Sequence, residues 1–184
     1  MKHVLMVISG PSGVGKGTIV KALKQRRTDV VESISCTTRA ARAGETHGKE
    51  YFFLSKEEFL RRIQENDFLE YDAHFENYYG TPKSFVYEML ESKSVILEID
   101  VVGALKVKEV CPESVLVMIA PPSKEELKKR LEGRETETQE QIETRIARLE
   151  YELSMQDKYD YVVINDDLEK AICEVESILD NSTR

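Results

Sequence analysis

An apolar run, HVLMVIS, leads straight into a glycine-rich turn, GPSGVGKGT, at Gly10 to Thr18. No other stretch restricts the fold as much. A continuous apolar run of this length is the pattern of a strand buried on both faces, as in a parallel sheet. The residues that follow, Lys16 to Arg27, put Ile19, Val20 and Leu23 on one side of a helix. Strand, glycine turn and helix together supply the context that gives a G-x-x-x-x-G-K match its meaning. In Gly10, Pro11, Ser12, Gly13, Val14 and Gly15, the glycines free backbone N–H groups to point inward at phosphate oxygens, and Ser12 adds a small polar side chain. The helix N-terminus contributes its dipole, and Lys16 is long enough to reach the outer phosphates of a nucleotide.

One position departs from the usual pattern. Residue 17 is glycine, where a hydroxyl normally touches magnesium, and Thr18 comes one place late. Thr18 is then free to touch an α-phosphate while waters complete the metal shell. Magnesium tolerates this, because it keeps several waters and takes other ligands from substrate phosphates. The GKGT form is also that of adenylate kinases. It points toward small phosphotransferases and away from GTPases and motor ATPases.

The 184 residues suit a single domain with a real core. A net charge of −8 provides no overall basic field for nucleic acid or an anionic membrane, so a polyanion must bind at a local basic patch. The apolar run Val4 to Ile8 is too short for a signal peptide or a membrane span. Cys36, Cys111 and Cys173 show no C-x-x-C spacing and read as small buried hydrophobes in a reducing cytoplasm. His3, His47 and His74 are dispersed, without metal-ligand spacing, and read as structural or exposed.

Strands alternate with helices along the chain. VVESIS, YFF, FLEYDAHF, NYYG, SVILEID, VLVMIA and YDYVVIN read as extended segments. Capping boxes at Ser55/Glu58, Ser123/Glu126 and Thr138/Gln141 open helices, and Pro82 begins another through about Leu90. Phe59, Leu60 and Ile63 are the expected buried face of the first. Ile142, Ile146, Leu149 and Leu153 mark a long helix, and Leu168, Ile172, Val175 and Leu179 the last one. Cys36 to Glu50 shows no periodicity and reads as a loop. This order predicts an α/β fold: a parallel sheet flanked by helices, with an insertion between core units in the Tyr-rich middle. The charge-rich stretch 124–152 has mixed signs and reads as a solvated helix pair.

In that middle segment, Arg39 and Arg42 lie three apart on a glycine-bearing loop and offer fork geometry for a phosphate dianion. Tyr51, Tyr78 and Tyr79 add neutral donors. An isolated R-x-x-R is more often a solvated loop, and an isolated Glu70 a charge on a strand's solvent face. The longer strings decide between these readings. SISCTTRAARAGETHGKEYFF, FLEYDAHFENYYGTP, ILEIDVVGA, APPSKEELKKRLEGRETET and VVINDDLEKA resemble guanylate kinases, in order and over nearly the whole chain. GKGT occurs in that family beside GKST.

The resemblance implies a P-loop NTPase-type core of about residues 1–33, 84–125 and 158–184, a small mixed α/β GMP-binding insertion at about 34–83, and a helical lid at about 126–157. It implies that Arg39, Arg42, Tyr51 and Tyr79 hold the GMP phosphate, and that Ser35, Glu70 and Thr81 read guanine. Glu45 and Asp100 match positions close to the acceptor nucleotide and the transfer centre. Lys16 acts on the ATP phosphates, Arg134 and Arg145 match lid arginines, with Arg130 and Arg148 nearby, and Asn165 and Asp166 match a segment near adenine. Glu98 stands where the family commonly has Asp. The implied reaction is MgATP + GMP giving ADP and GDP, with magnesium held mainly by phosphates and water. Two alternatives fit less well. A non-catalytic guanylate-kinase-like interaction module typically lacks a competent phosphate loop, whereas Lys16 is present. A kinase with a sugar-phosphate acceptor would lack the Ser35, Glu70 and Thr81 set. Adenylate kinase is a weaker rival, supported by the GKGT form alone.

Overall fold

A computed structural model describes residues 3–74, 76–123, 125 and 139–183, with the backbone alone at 74, 139–142 and 145. Strand β1 (Leu5–Ser9) is wholly buried and lies at the centre of a five-stranded parallel sheet. Its helix α1 (Lys16–Arg26) follows the glycine turn, and β2 (Val30–Glu32) forms one sheet edge. The chain then leaves the sheet for a second, four-stranded one. That sheet comprises β3 (Cys36–Thr37), β4 (Phe52–Phe53), β5 (Phe68–His74) and β6 (Asn77–Pro82), with helix α2 (Lys56–Gln64) between β4 and β5.

Helix α3 (Lys83–Leu90) returns the chain to β7 (Ser94–Glu98), which is followed by α4 (Val101–Val110) and β8 (Val115–Ala120). Helix α5 (Gln139–Ser154), a 3-10 turn at Gln156–Lys158, β9 (Tyr161–Ile164) and α6 (Leu168–Ser182) complete the described chain. The main sheet runs β2-β7-β1-β8-β9.

Period-two alternation divides the main core cleanly. Met6, Ile8, Ile96, Val117, Ile119 and Val163 face one side and pack with Ile19, Val20 and Leu23 of α1 and Ile172, Val175 and Leu179 of α6. Leu5, Val7, Val95, Leu97, Leu116 and Met118 face the other, against Val86 of α3 and Val101, Ala104 and Val107 of α4. The insertion has its own small core: Phe59 of α2 stacks on Phe68 at 4.4 Å and on Tyr78 at 5.3 Å between centroids, beside Cys36. Tyr78 is thus a packing residue rather than a free donor. The second sheet is joined to the core where Leu69 of β5 packs into the α3/α4 side and the Lys106 ammonium donates to the Tyr71 carbonyl at 3.1 Å.

Several local expectations change on inspection. Helix α4 escapes the sequence reading, although Val101, Ala104 and Val107 recur at helical spacing and Asp100 caps it. Cys36–Thr37 is a short strand rather than loop, held between β4 and β6. Leu60 is exposed, since Phe59 and Ile63, four apart, occupy the packed face. Leu168 is also exposed: it is the first residue of α6, and helical side chains lean toward the N-terminus, beyond the packed face. Cys173 is exposed, unlike Cys36 and Cys111, whose thiols burial pushes up to about 12 and about 11. The Ser55 hydroxyl accepts from Glu58 N at 3.1 Å, as a capping residue should, but the Glu58 carboxylate pairs with Arg61 and Arg62. Glu126 and Thr138, and the side chains of Gln141 and Ile142, lie outside the described residues, which leaves the capping boxes at Ser123/Glu126 and Thr138/Gln141 outside them as pairs. Among the described residues, no helix is long and apolar enough to cross a membrane.

Candidate active site

The site is assembled at the carboxyl ends of β1 and β7. Past Ser9 the backbone turns through Gly10 (φ 135°), Gly13 (φ 80°) and Gly15 (φ 101°), all in the region that favours glycine. At Gly10 space forbids any side chain, because a Cβ would stand 2.2 Å from the Ile119 carbonyl oxygen of β8. Gly15 caps α1 without a side-chain hydrogen bond, which leaves the first-turn N–H groups directed at the cavity in front of them. The loop is braced from behind: the Asn165 amide donates to the Val14 carbonyl at 2.7 Å, and Asn165 N donates to the Ala120 carbonyl at 2.9 Å. Asn165 therefore ties β9 to the loop.

The Lys16 ammonium curls over the turn and donates to the carbonyls of Gly10 at 2.6 Å and Pro11 at 3.0 Å. Burial lowers its pKa, opposed by the charges of Glu98, Glu152 and Asp100. The cavity facing the loop has a volume of about 840 Å³. Gly10, Ser12, Gly13 and Gly15 to Thr18 form one wall, and Glu98, Asp100, Arg148 and Glu152 the other. Burial raises the pKa of Glu98, against the pull of Lys16.

A second cavity of about 250 Å³ is lined by Ser35, Tyr51, Glu70, Asp72, Tyr79, Gly80, Ile99 and Asp100. A neighbouring one of about 300 Å³ shares Ser35, Tyr51 and Ile99 and adds Thr81 and Glu98. Here β5 and β6 pair antiparallel, with a register shift between Phe68 and Glu70 that sets Glu70 opposite Thr81. The Thr81 hydroxyl donates to Glu70 Oε1 at 2.6 Å. Burial raises the Glu70 pKa; the Thr81 bond works against this, and the nearby Asp100 charge adds to it.

Beside that pocket the Arg39 guanidinium forms a two-pronged pair with Glu45, both contacts 2.9 Å, and lies 5.5 Å above the Tyr51 ring. Tyr51 meets Tyr79 edge-on at 6.1 Å. Glu45 also accepts from Arg42 N at 2.8 Å, so one carboxylate orients the loop carrying both arginines. Its pKa is held down by the Arg39 hydrogen bond first and the Arg42 amide second. The Arg42 side chain is exposed and lines none of these three cavities.

Asp100 joins the two halves, because it lines both the large cavity and the Glu70 pocket. Its Oδ1 accepts from Gly103 N at 2.8 Å, capping α4, and its Oδ2 pairs with Arg148 at 3.1 Å. Arg148 also donates to Glu152 at 3.0 Å. Glu152 departs from the reading of 124–152 as a solvated helix pair: its side chain is 7% exposed and it lines the glycine-loop cavity. Leu149, three residues earlier and buried, was the available signal, since it puts Glu152 on the inward stripe. Arg130, Arg134 and the Arg145 side chain lie outside the described residues. His47 serves the second sheet, its Nδ1 accepting from Phe53 N at 3.1 Å.

The family model for guanylate kinase matches residues 2–182. The chain is 53% identical to a guanylate kinase of Caldanaerobacter subterraneus subsp. tengcongensis, covering 96% of this chain and 86% of that one. It is 54% identical to a guanylate kinase of Clostridium perfringens strain 13, covering 97% and 83%. Among solved structures, the guanylate kinase of Anaplasma phagocytophilum superposes with a TM-score of 0.75 at 34% identity, over 98% of this chain and 86% of that one. A shikimate kinase from Bacteroides thetaiotaomicron shares the fold at a TM-score of 0.56 and 15% identity. A glycine turn between strand and helix, a facing acidic cavity and these whole-length matches agree: the chain belongs to the guanylate kinase family.

Proposed function

We propose that the chain transfers the γ-phosphoryl group of ATP, bound with magnesium, to GMP, giving ADP and GDP, and that dGMP also serves as acceptor. The observation that carries this reading is Asp100, a shared wall between the phosphate-loop cavity and the pocket of Glu70 and Thr81. Donor and acceptor sites must meet at one point for direct transfer.

In this reading Gly10 to Thr18 and Lys16 hold the donor phosphates, and Asn165 steadies the loop near the adenine. Glu70 accepts hydrogen bonds from the guanine N1–H and amino group, with Ser35 and Thr81 completing the recognition. Adenine lacks that donor pair and leaves the carboxylate without partners, a penalty that supports discrimination of about 10⁴-fold or more. Arg39, Arg42, Tyr51 and Tyr79 take the GMP phosphate, with Glu45 presenting the arginines. Residues 34–83 form the acceptor-binding insertion and 126–157 the lid.

The GMP phosphate is already an oxyanion, so no general base is required. One of its oxygens bonds to the γ-phosphorus as the bond to the β,γ-bridging oxygen breaks, and that oxygen leaves on ADP. Lys16, Arg134 and Arg145 neutralise the charge that builds up in between, and lid closure expels water. The residues present suit magnesium bound through water: Glu98 and Asp100 offer carboxylates to the phosphate-loop cavity, and residue 17 offers no hydroxyl. When bound, the metal would supply charge neutralisation to the donor phosphates, with the Glu98 and Asp100 carboxylates on the facing wall of that cavity. Buried free thiols and nucleotide substrates support a cytoplasmic setting. The test is ADP release measured with GMP, dGMP, AMP, CMP and UMP as acceptors. Strong preference for guanine nucleotides is expected, and preference for any other base refutes the reading.

A further inference from the structure

Glu70 lines two cavities. One is the pocket it shares with Ser35 and Asp100; the other, of about 460 Å³, lies behind β5 against α4. The described residues lining this pair of cavities carry four carboxylates, Glu70, Asp72, Asp100 and Glu109, and one cation, Lys106. The remaining titratable groups on them are the phenols of Tyr51, Tyr71, Tyr78 and Tyr79, which are neutral near pH 7. Helix α4 brings the cation close. A Cβ built at Gly103 would stand 3.3 Å from Glu70 Oε2, so the first turn of α4 passes directly against the carboxylate. Lys106 is three residues further on and shares that face. Its ammonium donates to the Tyr71 carbonyl at 3.1 Å, one residue beyond Glu70 on β5. That carbonyl is neutral, so the bond fixes the charge without cancelling it. The charge acts on Glu70 against burial and against Asp100, in favour of the ionised form.

We propose that Lys106 is a positioning residue for recognition of the acceptor base: anchored on the Tyr71 carbonyl behind β5, its ammonium supplies the positive charge that the acidic pocket of Glu70 and Asp100 lacks, and so holds Glu70 as an acceptor for guanine without touching the nucleotide. The proposal rests on the guanine-recognition reading above. Lys106 lines the rear cavity and not the pocket itself, so its effect passes through Glu70. A protonated Glu70 would turn a donor hydroxyl toward a guanine donor and lose one of the two bonds. Lys106 opposes that protonation. Its influence is therefore felt at low pH and fades where Glu70 is ionised with or without help.

The test is steady-state kinetics with GMP at saturating MgATP, from about pH 6 to about pH 8, on Lys106→Met, Lys106→Gln and Lys106→Arg. Ionisation of the GMP phosphate cancels in the ratio of variant to parent at each pH. Lys106→Met should raise KM for GMP about fivefold at the acid end and less than about twofold at the alkaline end, a size suited to a partly exposed charge. Its kcat and KM for ATP should stay within about twofold. Lys106→Gln, which can donate but carries no charge, should follow Lys106→Met, and Lys106→Arg should match the parent. A KM ratio equal at both ends, no rise at all, or a Lys106→Gln variant that behaves as the parent would overturn the proposal alone. A parent KM for GMP that is flat with pH and unchanged in Glu70→Gln would overturn the guanine-recognition reading with it.

Discussion

Replacing Glu70 by Gln tests the acceptor pocket most sharply, because it should move function and stability in opposite directions. The Glu70 carboxylate is partly enclosed, accepts from Thr81 at 2.6 Å and faces Asp100 across the same pocket. Gln retains the shape and one acceptor but turns the other oxygen into a donor pointed at a guanine donor. Losing one charge-assisted hydrogen bond and opposing another costs about 3–5 kcal/mol in transition-state binding, or roughly 10²–10⁴-fold in kcat/KM for GMP. IMP, which lacks the exocyclic amine, has less to lose, so the GMP-to-IMP preference should collapse.

Stability should rise instead. The folded-state pKa of Glu70 is raised by burial, so above that pKa folding must impose an unfavourable charge. Removing the charge should gain about 1 kcal/mol, a rise of about 2–4 °C in Tm at neutral pH. The same shift sets a pH limb. In the proposed reading GMP recognition uses the ionised carboxylate, so KM for GMP should climb as pH falls, beginning above the usual carboxylate range, and this limb should vanish in the variant. Steady-state kinetics with both acceptors and a thermal melt suffice. Unchanged GMP-to-IMP preference, or a Tm that falls together with kcat at constant KM, would refute the argument.

Lys16→Ala should lower turnover by about 10²–10³-fold while GMP affinity, measured by titration, stays intact. Asn165→Ala removes the brace on the Val14 carbonyl; KM for ATP should rise about fivefold with KM for GMP unchanged, an effect of about 1 kcal/mol. Arg148→Ala leaves the enclosed Glu152 without its pair and should cost about 1–2 kcal/mol in chemical denaturation, restored by adding Glu152→Gln.

The sequence foretold the core because buried parallel strands and the glycine turn are local signals. HVLMVIS and GPSGVGKG need no distant partner to be read, and β1 and α1 lie where they imply. Helix α4 was missed because its first turn follows an apolar strand with almost no polar break, and only Asp100 marks the junction. Arg39 and Glu70 became legible through family resemblance rather than through spacing. Glu70 is set in its pocket by a register shift in β5, and Arg39 is held beside that pocket by a salt bridge within the 39–45 loop, both of which depend on tertiary pairing. Glu152 was hidden for a related reason. An acidic residue on a charged helix looks solvated until the opposing wall, here the phosphate loop, is known.

The carboxylate of Asp100 divides its labour between its two oxygens. One is pinned to the buried main-chain amide of Gly103 in α4, while the other meets a half-exposed arginine that incoming anions can compete for. A nucleotide drawing that guanidinium aside would change the local charge without moving the acid itself. In the proposed reaction the junction between the two cavities would thus exchange partners while Asp100 stays fixed by its helix cap.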